Sequence, residues 1–375
     1  MNAAQGATMH GKMLGLMGLV VALAGTASAG LFGTDYNNIE YLCCDWGPAM
    51  TLPTKTNEVA QFSDTEEEIY FLKQVTSFTR KKRLTKDIFN GRDYEDIGKG
   101  LSIYLCKMKA DGSGKTEIKE LWKNPAYPVD TQTQSTWMSV NVKTRTIALS
   151  IAYAGSDLMG LWTMKLDGSE LREIITPKLI EGHTQSIDSP SWTPDGQWIV
   201  FGEALRGGKR SRIARCGRQG QNLAYLAEGS GNCQPRVSPD GRQIAYIHWV
   251  GSASRLYLMN FDGMGQHPLP NPSDKRWGTH GGLYPAWSPD GKNIYYGGIS
   301  GHIIDVSTGK ILLSRSPQLV GQHYTCGWPQ WGRLGFVSHK VGAILVVDTE
   351  LREAKQLGLS TLIQCQDGNS ANCRW

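Results

Sequence analysis

A chain of 375 residues with 39 Lys and Arg against 34 Asp and Glu carries +5, and 40% of it is hydrophobic. That apolar fraction supports a large packed core and excludes a disordered chain, while 44 Gly and 16 Pro without a Gly-X-Y period exclude collagen. The charge excess is too small for a nucleic-acid-wrapping protein, and past the N-terminus no apolar run approaches the roughly 20 residues that cross a bilayer.

Residues 1–29 read as a cleaved signal peptide: Lys12, an apolar stretch from Met13 to Gly25 and the small residues Ala27, Ser28 and Ala29. Export to the periplasm or the extracellular space follows, with residues 30–375 as the mature domain. No Cys stands at the cleavage point, so a lipoprotein is not expected. All eight cysteines (Cys43, Cys44, Cys106, Cys216, Cys233, Cys326, Cys365 and Cys373) lie in the mature part, and an even count in an exported chain favours disulfides. At least one bridge from Cys43 or Cys44 to Cys365 or Cys373 is expected to tie the two ends together, with a local Cys365–Cys373 bridge as the other possibility. No CxxCH occurs, so no covalent haem of its own is expected, and no CxxC suggests a zinc ribbon or a thioredoxin-type site.

Repeats decide the fold. Ser191–Phe201 (SWTPDGQWIVF), Arg236–Tyr246 (RVSPDGRQIAY) and Ala286–Tyr296 (AWSPDGKNIYY) are copies, each with an anchor (Trp192, Val237, Trp287) seven residues before an Ile. The same offset links Phe62 to Ile69 and Val140 to Ile147. GWPQWGRLGF (327–336) is a worn copy whose anchor is placed near 328. A second submotif, alternating and ending in Asp-Gly, runs through Leu105–Gly112, Leu161–Gly168 and Leu256–Gly263, with a looser version at Ile303–Gly309. Period-2 alternation closed by Asp-Gly predicts hairpins. Two hairpins every roughly 40–50 residues predict an all-β, single β-propeller of four-stranded antiparallel blades, six signalled and a seventh possible. Asp195-Gly196, Asp240-Gly241 and Asp290-Gly291 are assigned to turns, where Asp bonds back to the backbone and Gly accepts positive φ.

The WSPDGKNIYY, VSPDGRQIAY and WTPDGQWIVF copies resemble the TolB-like family of propeller repeats, over roughly residues 56–358. The resemblance implies a propeller fold and little about function, since such repeats serve scaffolds, peptidase propellers and polysaccharide lyases.

The first repeat carries an insertion at 77–100, with Arg80, Lys81, Lys82, Arg83 and Arg92 as candidate partner-binding residues. Long insertions in a regular scaffold serve contacts more often than stability, although a solvated loop is the plain alternative. A second basic stretch, 205–220, holds Arg206, Lys209, Arg210, Arg212, Arg215 and Arg218. It reads as an exposed outer strand or as a surface for an acidic partner; export and the lack of interleaved aromatics disfavour nucleic acid. His183, His280 and His323 are weak metal candidates, because oligogalacturonate lyases of this repeat type use His and Gln ligands. No HxH or HxxxH spacing supports them. No G-x-S-x-G elbow, phosphate loop or GxGxxG is present, and no catalytic residue is assigned.

The leading expectation is a non-catalytic exported scaffold within a hetero-oligomer of protein subunits, and the alternative is a metal-dependent polysaccharide-lyase-like enzyme. The run from Cys43 to Pro53 (CCDWGPAMTLP), the inserted first repeat and the missing haem motif resemble the haem-free propeller subunits of anammox hydrazine synthases. That resemblance implies haems on partner subunits, chemistry that makes hydrazine from nitric oxide and ammonium, and an anammoxosome-lumen location.

Overall fold

The computed structural model describes residues 49–51, 61–62, 67–82, 94–124, 137–153, 158–206, 210–250, 253–269, 285–296, 301–315, 318–319, 322–323, 327–332, 335–340, 343–347 and 354–357. The chain divides into two compact units, one of residues 1–53, 75–100 and 362–375, the other of residues 54–74 and 101–361. Among the described residues the secondary structure is all strand and turn.

In the first unit β1 (Ala49–Thr51) pairs antiparallel with the far end of a long strand, Ala49 facing Thr79 and Thr51 facing Ser77. In chain order, β2 (Gln61–Phe62), that long strand β3 (Glu68–Lys82), β4 (Tyr94–Lys109) and β5 (Thr116–Asn124) follow one another as sheet neighbours. The next sheet joins two meanders. One is β6 (Trp137–Asn141), β7 (Thr146–Ala152), β8 (Met159–Lys165) and β9 (Arg172–Ile175). The other is β11 (His183–Trp192), β12 (Trp198–Arg206), β13 (Ser211–Gly217) and β14 (Ala224–Ala227), and β10 (Leu179–Ile180) pairs with β11. One parallel bridge, Ser186 to Met159, makes them a single nine-stranded sheet.

Three four-stranded meanders come next. The first is β15 (Asn232–Val237), β16 (Gln243–Val250), β17 (Ala253–Asn260) and β18 (His267–Pro268). The second is β19 (Pro285–Trp287), β20 (Asn293–Tyr296), β21 (Gly301–Asp305) and β22 (Ile311–Arg315). A short hairpin, β23 (Gln318–Leu319) and β24 (Gln322–His323), precedes the third, β25 (Gly327–Gly332), β26 (Gly335–Lys340), β27 (Ala343–Val347) and β28 (Ala354–Leu357).

The second strand of each meander explains how neighbours pack. In β7 every residue is buried, because strand alternation sends Ile147 and Leu149 to one side and Ala148 to the other. Ile147 and Leu149 meet Tyr70, Leu72 and Leu105 of the preceding sheet, whereas Ala148 meets Trp192, Ile199 and Phe201 of the following meander. Val200, on the opposite side of β12 from Ile199 and Phe201, packs with Ile244 and Tyr246. Ala245 and Ile247 in turn pack with Trp287, Ile294 and Tyr296. The meanders of β7, β12 and β16 are therefore apolar on both faces and bury both, at about 1.5–3 kcal/mol per large side chain. Outer strands behave differently: β9 and β18 are half-exposed or exposed along their length.

First strands follow one another in the same order. β11 touches β6 and β15, β15 touches β19, β19 touches β25, and β25 touches β2. Register fixes the anchors, with Phe62 facing Ile69, Val140 facing Ile147, Trp192 facing Ile199, Val237 facing Ile244 and Trp287 facing Ile294. In the last meander the anchor is Trp331, which faces Phe336, and not residue 328. The turn there has lost the Pro-Asp-Gly residues and shortened, so the seven-residue offset fails.

Candidate functional site

At the ends of the first strands lies a cavity of about 380 Å³. Its wall takes the anchor residue from successive meanders: Val140, Trp192, Val237, Trp287 and, from the last, Trp331. Three kinds of hydrogen bond lock these strands together. The Trp192 backbone N–H donates to Ser139 Oγ at 3.2 Å and the Val237 N–H to Ser191 Oγ at 3.0 Å. Ser139 and Ser191 each stand one residue before an anchor. Arg236 occupies that place in the next meander and has no hydroxyl, so the Trp287 indole Nε1 donates instead to the Arg236 carbonyl at 2.9 Å. Asn141 completes the set by donating to the Thr193 carbonyl at 2.9 Å.

The turns beside the cavity share one relay. Asp195, Asp240 and Asp290 each accept from the hydroxyl two residues earlier (Thr193 2.5 Å, Ser238 2.6 Å, Ser288 2.7 Å) and from the backbone N–H two residues later, all at 3.0 Å. Those hydroxyls in turn accept the N–H of Trp198, Gln243 and Asn293. The hydroxyl bond, then the backbone bond, hold all three carboxyls below the usual Asp range. Gly196, Gly241 and Gly291 follow with φ of 69°, 75° and 71°. Carboxylates whose bonding is spent inside a turn are poorly placed for acid–base work.

Two strained positions occupy equivalent places in neighbouring first strands. Ser189 and Gln234 hold φ of 50° and 56° at β-bulges in β11 and β15, and each precedes a proline, Pro190 or Pro235. Left-handed backbone in a non-glycine costs about 1–3 kcal/mol. Ser189 Oγ and Gln234 Oε1 are buried and make no hydrogen bond. Sequence reasoning missed them, yet a proline stands two residues before every later anchor (Pro190, Pro235, Pro285, Pro329), and that spacing also identifies Trp331.

Of the basic stretch 205–220, Arg212 is not an exposed outer-strand residue. It lies opposite Glu203 across the β12–β13 hairpin, and its side chain is 10% exposed while that of Glu203 is 3%. Its Nη2 reaches Glu203 Oε1 at 2.8 Å and its guanidinium covers the Tyr225 ring at 3.3 Å. Arg215 stacks on Phe261 and Trp198 and donates to the Phe261 carbonyl at 2.8 Å. Both cations are consumed inside the fold.

Arg80, Lys81 and Lys82 fall at the far end of β3; Arg83 and Arg92 lie outside the described residues, in the connection to β4. His183 opens β11 and is half-buried, and His323 ends β24; His280 lies outside the described residues. Among the described residues no group of three His, Cys, Asp or Glu could hold a metal ion. Cys106, Cys216 and Cys233 are free thiols, so the bridging that the even cysteine count favours does not extend to these three. Burial pushes each up to about 12, because an apolar surrounding disfavours the thiolate. Cys43, Cys44, Cys365 and Cys373, and the signal peptide, lie outside the described residues. No described helix is long and apolar enough to cross a membrane.

No family model matches the chain. It is similar to the uncharacterized protein Atu1656 of Agrobacterium fabrum, 24% identical over 159 residues that cover 39% of this chain and 50% of that one, so the chain spans about half the length of this curated relative. Among solved structures it is similar to TolB from Acinetobacter baumannii (14% identity, 79% and 69% of the two chains, TM-score 0.46). It is also similar to oligogalacturonate lyase from Vibrio parahaemolyticus (12%, 82% and 79%, TM-score 0.47). Kuenenia stuttgartiensis hydrazine synthase gives 13% identity over 83% and 97% of the chains, at a TM-score of 0.47.

Proposed function

We propose that the chain is a non-catalytic, exported β-propeller that serves as a scaffold or interaction subunit of a larger protein complex. The ring reading, with six four-stranded blades, is supported by first-strand contacts that run from β6 through β11, β15, β19 and β25 to β2. The step from the β2 sheet to the β6 meander is supported by the core shared by Tyr70, Leu72, Met138 and Ile147. One observation carries the scaffold reading. β3 and β4 run 15 and 16 residues, while among the described residues no other strand exceeds 10. A sheet that needs at most ten residues gains nothing from the rest, and the excess holds Arg80, Lys81 and Lys82, with Arg83 and Arg92 in the connection. Extended backbone at about 3.3 Å per residue gives a paired arm long enough to reach a partner. A narrower form of the reading puts haem-bearing subunits on that arm, in the manner of the anammox hydrazine synthase to which the sequence is similar; hydrazine chemistry would then belong to the partners.

The test excises residues 77–100, closes the gap with Asn-Gly, and expresses the result in the native host beside the intact chain. The reading expects the intact chain to elute in a hetero-oligomer and the shortened chain to elute alone with an unchanged melting temperature. Equal elution of the two would refute it.

A further inference from the structure

The outer edge of β4 is open along part of its length. From Leu101 to Lys107 that edge is covered by β5, with Leu101 facing Asn124 and Lys107 facing Thr116. The inner edge of β4 lies on β3, and β1 covers the far side of β3 in turn. From Tyr94 to Gly100, beyond the end of β5, no strand among the described residues pairs with the outer edge. Outward-pointing backbone N–H and C=O groups along such a stretch are a template for another strand. The edge reads Tyr94-Glu95-Asp96-Ile97-Gly98-Lys99-Gly100, and it is complementary to itself. An antiparallel copy matches the whole open length in one register, with the twofold axis at Ile97. That register sets Glu95 opposite the copy's Lys99 and Lys99 opposite the copy's Glu95, so both signs are matched twice. Ile97 meets Ile97 at the axis, while Tyr94 and Asp96 meet Gly100 and Gly98. Opposite charges and apolar pairs facing each other across two strands are what stabilise a sheet. An aromatic residue opposite an edge glycine covers the backbone that the glycine exposes. Glycine weakens a strand interior and marks a place where another backbone comes close, and here two stand two residues apart. Charge on an edge strand commonly keeps other strands away; on this edge the two signs stand where they attract a second copy.

We propose that Tyr94–Gly100 is the contact of a twofold-symmetric homodimer, in which the β4 edges of two copies pair antiparallel and join their sheets. This goes beyond the docking role of the arm: the occupant is a second copy of this chain, held by the strand edge and not by the basic residues. A seven-residue edge is a small interface, so the pair forms at micromolar concentration and above, not in a dilute host extract.

Sedimentation velocity of the full chain, purified by itself and followed over a micromolar concentration series, tests the proposal. The native chain is expected to sediment increasingly as a dimer. Lys99→Glu and Glu95→Lys each set like charges opposite one another twice. Each alone should weaken the dimer at least about tenfold, since two attractive pairs become repulsive. An equal mixture of the two variants restores opposite charges at both places and should form the dimer again, which a folding defect cannot imitate. If either variant does not fold, Ile97→Cys decides. Directly opposite residues of an antiparallel pair lie about 4.5–5.5 Å apart at Cα, within disulfide reach, so mild oxidation should yield more covalent dimer than the native chain gives. A native chain that stays monomeric, a dimer indifferent to both charge changes, variants that remain monomeric when mixed, or an Ile97→Cys chain that oxidises no differently from the native one each overturns the proposal. Neither charge change touches Arg80, Lys81, Lys82, Arg83 or Arg92, so the docking role of the arm is tested separately.

Discussion

Replacing Gly220 by Ala should be among the most damaging single-methyl changes in the molecule. Gly220 closes the β13–β14 turn at φ 87°, and a Cβ there would stand 2.1 Å from the Ile174 carbonyl oxygen of the neighbouring meander. Two costs add. Left-handed backbone disfavours any L-residue by about 1–2 kcal/mol, and forcing a methyl group against fixed backbone adds about 1–3 kcal/mol. Gly291 is the control, since its φ is 71° but a Cβ would meet only Pro239 Cδ at an ordinary 3.7 Å. Gly291→Ala should therefore cost only the first term, about 1–2 kcal/mol, against about 2–5 kcal/mol for Gly220→Ala. At about 2–4 °C per kcal/mol, differential scanning calorimetry should separate their melting temperatures by several degrees. Equal losses would refute the inference that outer turns seat directly on the preceding meander. The same seating recurs at Gly168 on Ile118 and at Gly263 on Leu226, so it belongs to the repeat.

Weakening the buried ion pair by Glu203→Gln should destabilise by less than the about 3–5 kcal/mol of a fully uncompensated buried charge, because Arg212 keeps Glu228 at 3.5 Å and the Tyr225 ring, and the double change Glu203→Met with Arg212→Met should recover most of the loss; chemical denaturation of the native chain and the two variants checks this. Asp195, Asp240 and Asp290 have depressed pKa values in the fold, so their stabilisation is complete above the unfolded Asp value of about 3.9 and is lost as pH falls through the lower folded values. Asparagine at all three should flatten the acid limb of the stability–pH curve, read by melting temperature between pH 2 and 6; a parallel curve would contradict the turn role. Cys106, Cys216 and Cys233 should resist a thiol reagent in the folded chain and react once it is denatured, a difference that mass spectrometry of alkylated peptides resolves.

What could be read from the sequence follows from how local each feature is. The Asp195, Asp240 and Asp290 turns lie within six residues, and the anchor-to-Ile offset follows from the turn, so both survive in an isolated repeat. Trp331 escaped because its turn runs only from Gly332 to Gly335, and the proline spacing was the better ruler. Arg212 was misread for want of its partner, although reflecting the sequence about Gly207-Gly208 pairs it with Glu203. Ser139 and Ser191 could have been found, as hydroxyls one residue before two successive anchors.

The central claim is that the β3–β4 arm docks this chain onto partner subunits, and charge reversal within an intact arm tests it most directly. Arg80, Lys81, Lys82, Arg83 and Arg92 would all be changed to Glu, the melting temperature confirmed, and the native mass of the tagged chain from its own host measured. The account predicts a native-like melt and the mass of the chain alone, against a larger complex for the unaltered protein. A complex of unchanged mass from the reversed chain would contradict it.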